Sequence, residues 1–443
     1  VTLSGDRGGF PRRLPVAAAF ALPGALLGAA DYLGLPHPDL PPPIAAAIFG
    51  IAIVAAAFLL SWAAEAAQVD VSAGLAIAVL AMVAVLPEYA VDMVFTFEAG
   101  QVYAEHGTCA GQGGANPCSL ALANMTGANR ILVGIGWPLV VLVAGLAVLR
   151  KGRERGGERA GVVRPGRVEL TPVMSAEVVF LGVATLYSLT LPLRDSLTFF
   201  DAAVFVSIFA AYTWRLSKAP AEEPDLHGVS KWVGEQAKRR RRGWVAGLFG
   251  FAGLVILACA EHFAQNLVDT GSTLGVDEFL LVQWVAPLAS EAPELIVACL
   301  YAVRLAASES LGTLLSSKVN QWTLLVGTLP VVFAISSGGV DGLPLDEHQR
   351  LELLVTAAQS LFAVSLLVDL GIGAMGAATL FGLFAVQFGT SLLLPAEVNR
   401  VVVLGLSGLY VLLAVVRLAR RRAELARLVR DGMTTPFSEL ARR

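Results

Sequence analysis

Charge is what this chain has least of. Asp, Glu, Lys and Arg make up 15% of its 443 residues, where a soluble domain carries about a quarter. With 56% hydrophobic residues and a mean hydropathy of +0.69, that scarcity excludes a water-soluble globule. Histidine is sparse too, five in all and widely scattered, so no Cys/His cluster of zinc-binding spacing exists. A Walker loop and a glycine-rich dinucleotide fingerprint are both missing, which argues against an ATP-driven pump. No cofactor is expected, and no nucleic-acid partner. The strict residue alternation of a membrane β-barrel is absent. Cysteine is limited to four. Cys259 and Cys299 sit in apolar runs as inert filler, while Cys109 and Cys118 flank the polar segment GTCAGQGGANPCS. Those two close a small disulfide ring if the segment faces an oxidising side, and stay free thiols if it does not.

What the chain has in abundance is apolar runs of helix length. A span takes about 20 apolar residues, and that ruler predicts helices over 14–35, 44–67, 71–98, 119–149, 173–193, 197–216, 244–267, 277–303, 309–335, 351–369, 373–393 and 399–419. The expected fold class is an all-α membrane protein, a polytopic bundle of about 12 transmembrane helices in a lipid bilayer. No obligate protein partner is implied. Arg12 and Arg13 ahead of the first run fit a signal peptide; a retained helix is preferred, because no small-residue cleavage site precedes a soluble domain. The polar stretch 217–243 is a linker between two halves, 44–216 and 244–393, with 1–43 and 394–443 outside them.

The 32 Lys and Arg residues test this reading. With the N-terminus inside, only Arg194, Arg350 and Arg400 fall on the outer side, and Arg130 and Lys318 lie within spans. The rest are cytoplasmic, as the positive-inside rule requires. Both termini are therefore expected in the cytoplasm of a plasma-membrane protein, with the Cys109–Cys118 segment outside. The basic run in 217–243 then needs no regulatory role, and the basic tail after Arg417 at most touches anionic lipid.

Two spans stand apart. VLAMVAVLPEYAVDMVF (79–95) and VAPLASEAPELIVACLY (285–301) each hold a Pro-Glu pair, Pro87-Glu88 and Pro293-Glu294. A carboxylate in hydrocarbon is costly and normally faces an interior cavity on an ion or proton path. The proline removes a backbone hydrogen bond beside it. With the halves aligned on these glutamates, related segments precede them (AAEAAQVD at 63–70, CAEHFAQNLVD at 259–269) and polar-spotted spans follow (121–138 and 310–330). The expected topology sends the two glutamate helices in opposite directions. The repeats are inverted, which is the architecture of alternating access.

At these residues the chain resembles the cation/calcium exchanger superfamily, specifically its sodium/calcium exchanger-like membrane region. That family's two alpha-repeats carry G-T-S-x-P-E on one helix and G-N-x-x-G-S-N on the next. Here the first repeat, about 63–149, reads VAVLPE (83–88) and ANMTGAN (123–129); the second, about 259–335, reads ASEAPE (289–294) and GTLLSSK (312–318). The resemblance makes 44–216 and 244–393 two exchanger halves and the helices 14–35 and 399–419 additions to the family's ten. It implies cation-ligating roles for Glu88, Glu294, Ser290, Asn124, Asn129, Ser317 and Gln321. Ligands of the family pattern are missing at Ala84, Val85, Ala128 and Leu132, and Lys318 stands where an asparagine belongs.

Spacing adds further candidates. Glu291 lies three residues before Glu294 and Asp92 four after Glu88, each pair on one helical face, and Asn320 adds an amide. Arg130 is expected to pair with Asp92 and Lys318 with Glu291, leaving Glu88 and Glu294 to exchange their load. Alternatively the Lys318 ammonium replaces a sodium ion. Structural readings compete: salt bridges for the carboxylates, helix–helix glue for the amides. The function expected is a secondary active antiporter moving Ca2+ or a related cation against Na+ or H+ at a midplane carboxylate site. The alternatives are a proton-coupled Ca2+/H+ or Na+/H+ exchanger, a family member that has lost transport and acts as a sensor or scaffold, and, from another class, a membrane-embedded enzyme. The scattered histidines speak against the last.

Overall fold

The computed structural model describes residues 10–70, 85–109, 116–154, 166–219 and 226–442. The chain enters the bundle through α1 (Arg13–Tyr32) and α2 (Pro42–Ala67), then α3 (Leu86–His106), α4 (Pro117–Ile131) and α5 (Trp137–Glu154). After α6 (Ser175–Ser188) and α7 (Phe199–Leu216), a short α8 (Val229–Gly234) leads into the long α9 (Lys238–Leu274). The second half continues with α10 (Glu278–Val303), α11 (Ala307–Asn320), α12 (Val326–Ser337), α13 (Glu347–Leu366) and α14 (Ala374–Leu393). Last come α15 (Ala396–Arg420), α16 (Arg422–Met433) and α17 (Phe437–Leu440).

Ten helices among the described residues are long and apolar enough to cross a membrane. Helices α3 and α13 fall short of that measure because of their own charges, Glu88, Asp92, Glu98 and Glu105 in one and Glu347, Arg350 and Glu352 in the other. The expected span 71–98 is seen only from its second part, since 71–84 lies outside the described residues. The basic run at 238–242 belongs to the first turn of α9, which starts six residues before the expected 244. Cations there oppose the helix dipole. Asp70, just past the end of α2, compensates, accepting from Arg241 Nε at 2.9 Å and Nη2 at 2.7 Å. Those bonds hold the Asp70 carboxyl below its usual 3.8.

The two halves repeat each other in detail. A five-residue π turn interrupts the helix after α4, at Leu132–Gly136, and another follows α11, at Gln321–Leu325. Two short antiparallel strand pairs also match. β1 (Arg167–Glu169), just before α6, pairs with β4 (Gly371–Gly373), just after α13. β2 (Ser196–Leu197), after α6, pairs with β3 (Leu343–Pro344), before α13. Each pair joins one half to the other and closes backbone bonds that hydrocarbon cannot satisfy. A capping box sets the start of α7, Thr198 with Asp201, and of α13, Asp346 with Gln349.

Close helix approach depends on small residues, as expected in lipid. A Cβ at Gly127 of α4 would stand 1.7 Å from the Gln283 carbonyl oxygen of α10, and one at Gly28 of α1 only 1.9 Å from that of Ala258 in α9. The first contact brings the two repeats together; the second docks the added N-terminal helix. The basic C-terminal tail is not a loose extension. α16 lies against α6, and buried Arg215 of α7 donates to the carbonyl of Gly432 at 2.9 Å and stacks 4.1 Å over Phe437.

Candidate cation-binding site

Glu88 sits in the first turn of α3, with Pro87 at the adjoining start of the helix, where a missing backbone N–H costs nothing. Glu294 is placed differently. α10 runs unbroken through Pro287 and Pro293, so the second Pro-Glu pair lies in mid-helix. Glu88, Asp92 and Glu291 are 1%, 0% and 0% exposed, while Glu294 is half-buried. Glu88 lies within electrostatic reach of Glu291 and Glu294. The repeats thus face each other through three carboxylates.

Side-chain donors stitch this centre together. Asn124 Nδ2 donates to Asp92 Oδ1 at 2.8 Å, and in the second repeat, from a different motif position, the Gln321 amide donates to Glu291. Tyr89 Oη donates to Asn320 Oδ1 at 3.3 Å across the repeats. Lys318 Nζ donates to the Asn129 carbonyl oxygen at 2.9 Å. Asn129 and Lys318 occupy equivalent motif positions, so the two repeats touch at the same residue of each.

Eight of the ten expected ligands present a buried oxygen with no hydrogen-bond partner among the described residues: Glu88, Asp92, Asn124, Asn129, Glu291, Glu294, Ser317 and Gln321. For Glu88 neither carboxylate oxygen has a neutral donor among those residues, and the contact it does make is with the Glu291 carboxyl across the repeats, a pair that needs a shared proton or a cation. Ser290 bonds its own helix at 3.4 Å, and Asn320 is engaged by Tyr89. Buried acceptors left unpaired are expensive, and a cation is the ligand that would satisfy them. Among the described residues, no three Cys, His, Asp or Glu side chains are gathered tightly enough to hold a metal ion alone. Amide and hydroxyl oxygens must therefore share the work.

Both expected charge pairs are corrected by the structure. Arg130 does not reach Asp92. It points the other way from α4, with Nη1 2.6 Å from Glu352 Oε2 on α13 and its guanidinium 4.7 Å over the Trp284 ring. Gln283 Nε2 also donates to Glu352 at 2.9 Å, and His348 lies 3.6 Å from its other oxygen. Lys318 makes no ion pair with Glu291, whose carboxylate is taken by Gln321; its ammonium is instead 5.4 Å from the Trp322 ring. Glu352 was not among the sequence candidates. Its sequence signal was weak, since it stands second in the expected span 351–369, where a carboxylate reads as interfacial. Cys109 and Cys118 are bonded, with sulfurs 2.06 Å apart.

At the Arg304 end of α10, a cavity of about 60 Å³ lies against Val297, one turn beyond Glu294, with Trp62, Glu65 and Arg304 around it. Glu294 is half-buried and does not line that cavity, while Glu88, Asp92 and Glu291 are closed off.

Inverted helical repeats meeting at buried, unsatisfied carboxylates define a membrane cation transporter. The sequence model of the sodium/calcium exchanger protein family matches residues 42–218 and 244–419, and the chain belongs to that family. Among solved structures it is similar to the H+/Ca2+ exchanger CAX, at 40% identity over 97% of this chain and 98% of that one, with a TM-score of 0.82. It shares its fold with native YfkE, at 14% identity over 86% of this chain and 100% of that one, with a TM-score of 0.59. No curated protein sequence matches.

Proposed function

We propose that this chain is a secondary active antiporter that moves Ca2+ against H+ by alternating access, with Glu88, Glu294, Glu291 and Asp92 carrying the load. The observation behind this reading is Glu88, fully buried with no neutral donor to either oxygen among the described residues and the Glu291 carboxyl against it. A carboxylate there is neutralised by a proton or by a bound cation, and competition between the two for the same oxygens couples their fluxes. Two carboxylates match the charge of one calcium ion, and hard oxygen ligands suit it. Asn124, Asn129, Ser290, Ser317, Asn320 and Gln321 would complete its coordination. Lys318 would add a fixed charge near Glu291, where other members of the family pattern carry an asparagine.

Protons rather than sodium are favoured as the counter-ion because the first repeat offers few neutral oxygens beside Glu88, with Val85 at a position the family pattern fills with a hydroxyl. The likeness to the H+/Ca2+ exchanger CAX supports the same choice. The positive-inside pattern favours a plasma-membrane orientation with both termini cytoplasmic. The test is purified protein in vesicles with opposed gradients. An outward proton gradient should drive Ca2+ uptake in the absence of sodium. Uptake that follows a sodium gradient and ignores pH would replace the proton in this scheme, and no uptake under either gradient would leave a non-transporting member of the family.

A further inference from the structure

Glu352 is buried on α13, where Arg130 of α4 and Gln283 of α10 both reach it. This one carboxylate therefore ties a helix of the first repeat to a helix of the second. Its third neighbour is His348, one turn earlier on α13, with Nε2 3.6 Å from Glu352 Oε1 and half of its side chain exposed. The imidazole also lies against α10, its ring centre 4.3 Å from that of Phe279. It sits over the tie and bridges the first turns of two helices.

This is the disulfide end of the bundle. Asn116 Nδ2 donates to Asp346 Oδ2 at 2.8 Å, and the Gln349 amide donates to the Cys118 carbonyl oxygen. A disulfide persists in an oxidising compartment, so His348, which stands ahead of the span expected at 351–369, titrates with the medium on that side. Asp346 and Glu352 face it from its own helix and Asp277 from α10. Glu278, next to Asp277, lies against Gly271 of α9 instead. Glu347 pairs with Arg400, and Arg350 with Asp195. From α4 the facing cation is Arg130, behind Glu352. The segment 110–115, AGQGGA, has no ionisable side chain. A cation in the first turn of α13 opposes the helix dipole, and the carboxylates outweigh it. Glu352 first, then Asp346 and Asp277, hold the imidazole above its usual 6.5, although part of the ring is buried.

We infer that His348 is a proton-operated clasp: protonated, it fastens the first turn of α10 to α13 over the Arg130–Glu352 tie, and on losing its proton to an alkaline medium it lets that turn go. A folded-state value above 6.5 makes the clasp's contribution complete below 6.5 and lost as pH rises through the higher value. Opening admits water to Glu352 and weakens the pair that holds α4 and α10 together. Asn124 and Asn129 then sit less firmly against Glu291. The consequence for Ca2+ rests on the antiporter reading above: the centre binds the ion less well once the clasp is open. Direct competition has the opposite sign, because carboxylates that lose protons bind Ca2+ better.

The experiment is amide exchange of the full chain in detergent across a pH series, corrected for intrinsic rates, with Ca2+ binding measured on the same samples. In wild type, residues 278–283 should lose about threefold to fivefold in protection as pH rises through the clasp's midpoint, the scale of one partly exposed charge pair. His348→Gln should lack that protection at every pH. His348→Lys, which keeps a cation, should retain it into alkali. Ca2+ affinity in His348→Lys should climb with pH without a break, while the wild-type climb falls short by about threefold once the clasp opens. Protection at 278–283 that ignores pH in wild type, or that changes alike in wild type and His348→Lys, overturns the clasp. Equal Ca2+ profiles in those two proteins, with the exchange step present, overturn its link to the cation centre. Failure of the antiporter reading looks different: no variant binds Ca2+, while the exchange step persists and supports the clasp.

Discussion

The two repeats share a plan and differ in chemistry. In the second, α10 carries Ser290, Glu291 and Glu294 on a continuous helix, and the following π turn supplies Gln321 to Glu291. In the first, Glu88 lies in the first turn of the described helix, which begins at Leu86, Leu132 replaces the glutamine, and the extra carboxylate, Asp92, lies one turn later and bonds Asn124. Because the repeats run in opposite directions, a carboxylate after Glu88 and one before Glu294 fall on the same side of the central pair. The sequence asymmetry thus becomes a direction. Asp92 and Glu291 lie away from the Arg304 end, and the small cavity below Glu294 lies toward it. Half-buried Glu294 lies nearest that end, while the other side holds the deeper acidic pair.

The sharpest test of this inequality removes one central charge at a time. Glu88→Gln and Glu294→Gln should each lower Ca2+ exchange by about a hundredfold or more, the scale of taking one charge from a desolvated set. Glu88→Gln should be the more severe, since Glu88 is fully buried and Glu294 only half so. Vesicle uptake measures both. Equal and mild losses would mean that the load is carried elsewhere.

Arg130 separates the repeats a second way. Its charge is exported to α13, so Arg130→Met leaves buried Glu352 with only Gln283 and His348 against it, a loss of up to about 3–5 kcal/mol seen as a lower Tm in detergent. Double-mutant cycles should couple Arg130 strongly to Glu352. Asp92→Asn combined with Arg130→Met should instead be additive within about 0.5 kcal/mol. Coupling between Arg130 and Asp92 would restore the pairing that their spacing implies.

That pairing shows where sequence reasoning stopped. Apolar runs located the helices, because length and hydropathy are local properties. Glu88 and Glu294 stood out for the same reason, each being costly where it lies. Arg130 and Asp92 looked like partners because their helices adjoin, yet partner choice depends on which face of α4 each side chain leaves. Gly127 presses α4 against Gln283 of α10, and this turns Arg130 toward Trp284 and Glu352. Nothing local encodes that rotation. The start of α9 was likewise misplaced, since a run of cations reads as a loop until Asp70 from another helix is brought to it.

Lys318 offers a smaller effect on the balance between repeats. It is the one motif position where the second repeat has a cation and the first, at Asn129, an amide. Lys318→Asn makes the two alike and removes a positive charge near Glu291. Under the proton-coupled reading, each cycle should then carry one more compensating charge, measured as the H+ to Ca2+ ratio in vesicles, with folding preserved because Asn129 loses only one bond. An unchanged ratio would make Lys318 a structural strut between the repeats.

The mildest test concerns the seam between the halves. Asp70 closes the first half's leading helices onto the first turn of α9 through Arg241, and its pKa is lowered by that hydrogen-bonded pair. A carboxyl whose folded pKa is depressed contributes stability that is complete above its usual 3.8 and disappears as pH falls through the lower folded value. At neutral pH, Asp70→Asn should therefore raise amide exchange across 229–242, by about fivefold at most for a partly exposed pair. Below the folded value the mutant and wild type should exchange alike, once intrinsic rates are corrected. The loss should stay local, because the Arg241 side chain also donates to the carbonyls of Gly234 and Gln236. Exchange that rises in α3 or α10 as well would show that this seam is coupled to the carboxylate centre rather than merely closing one end of it.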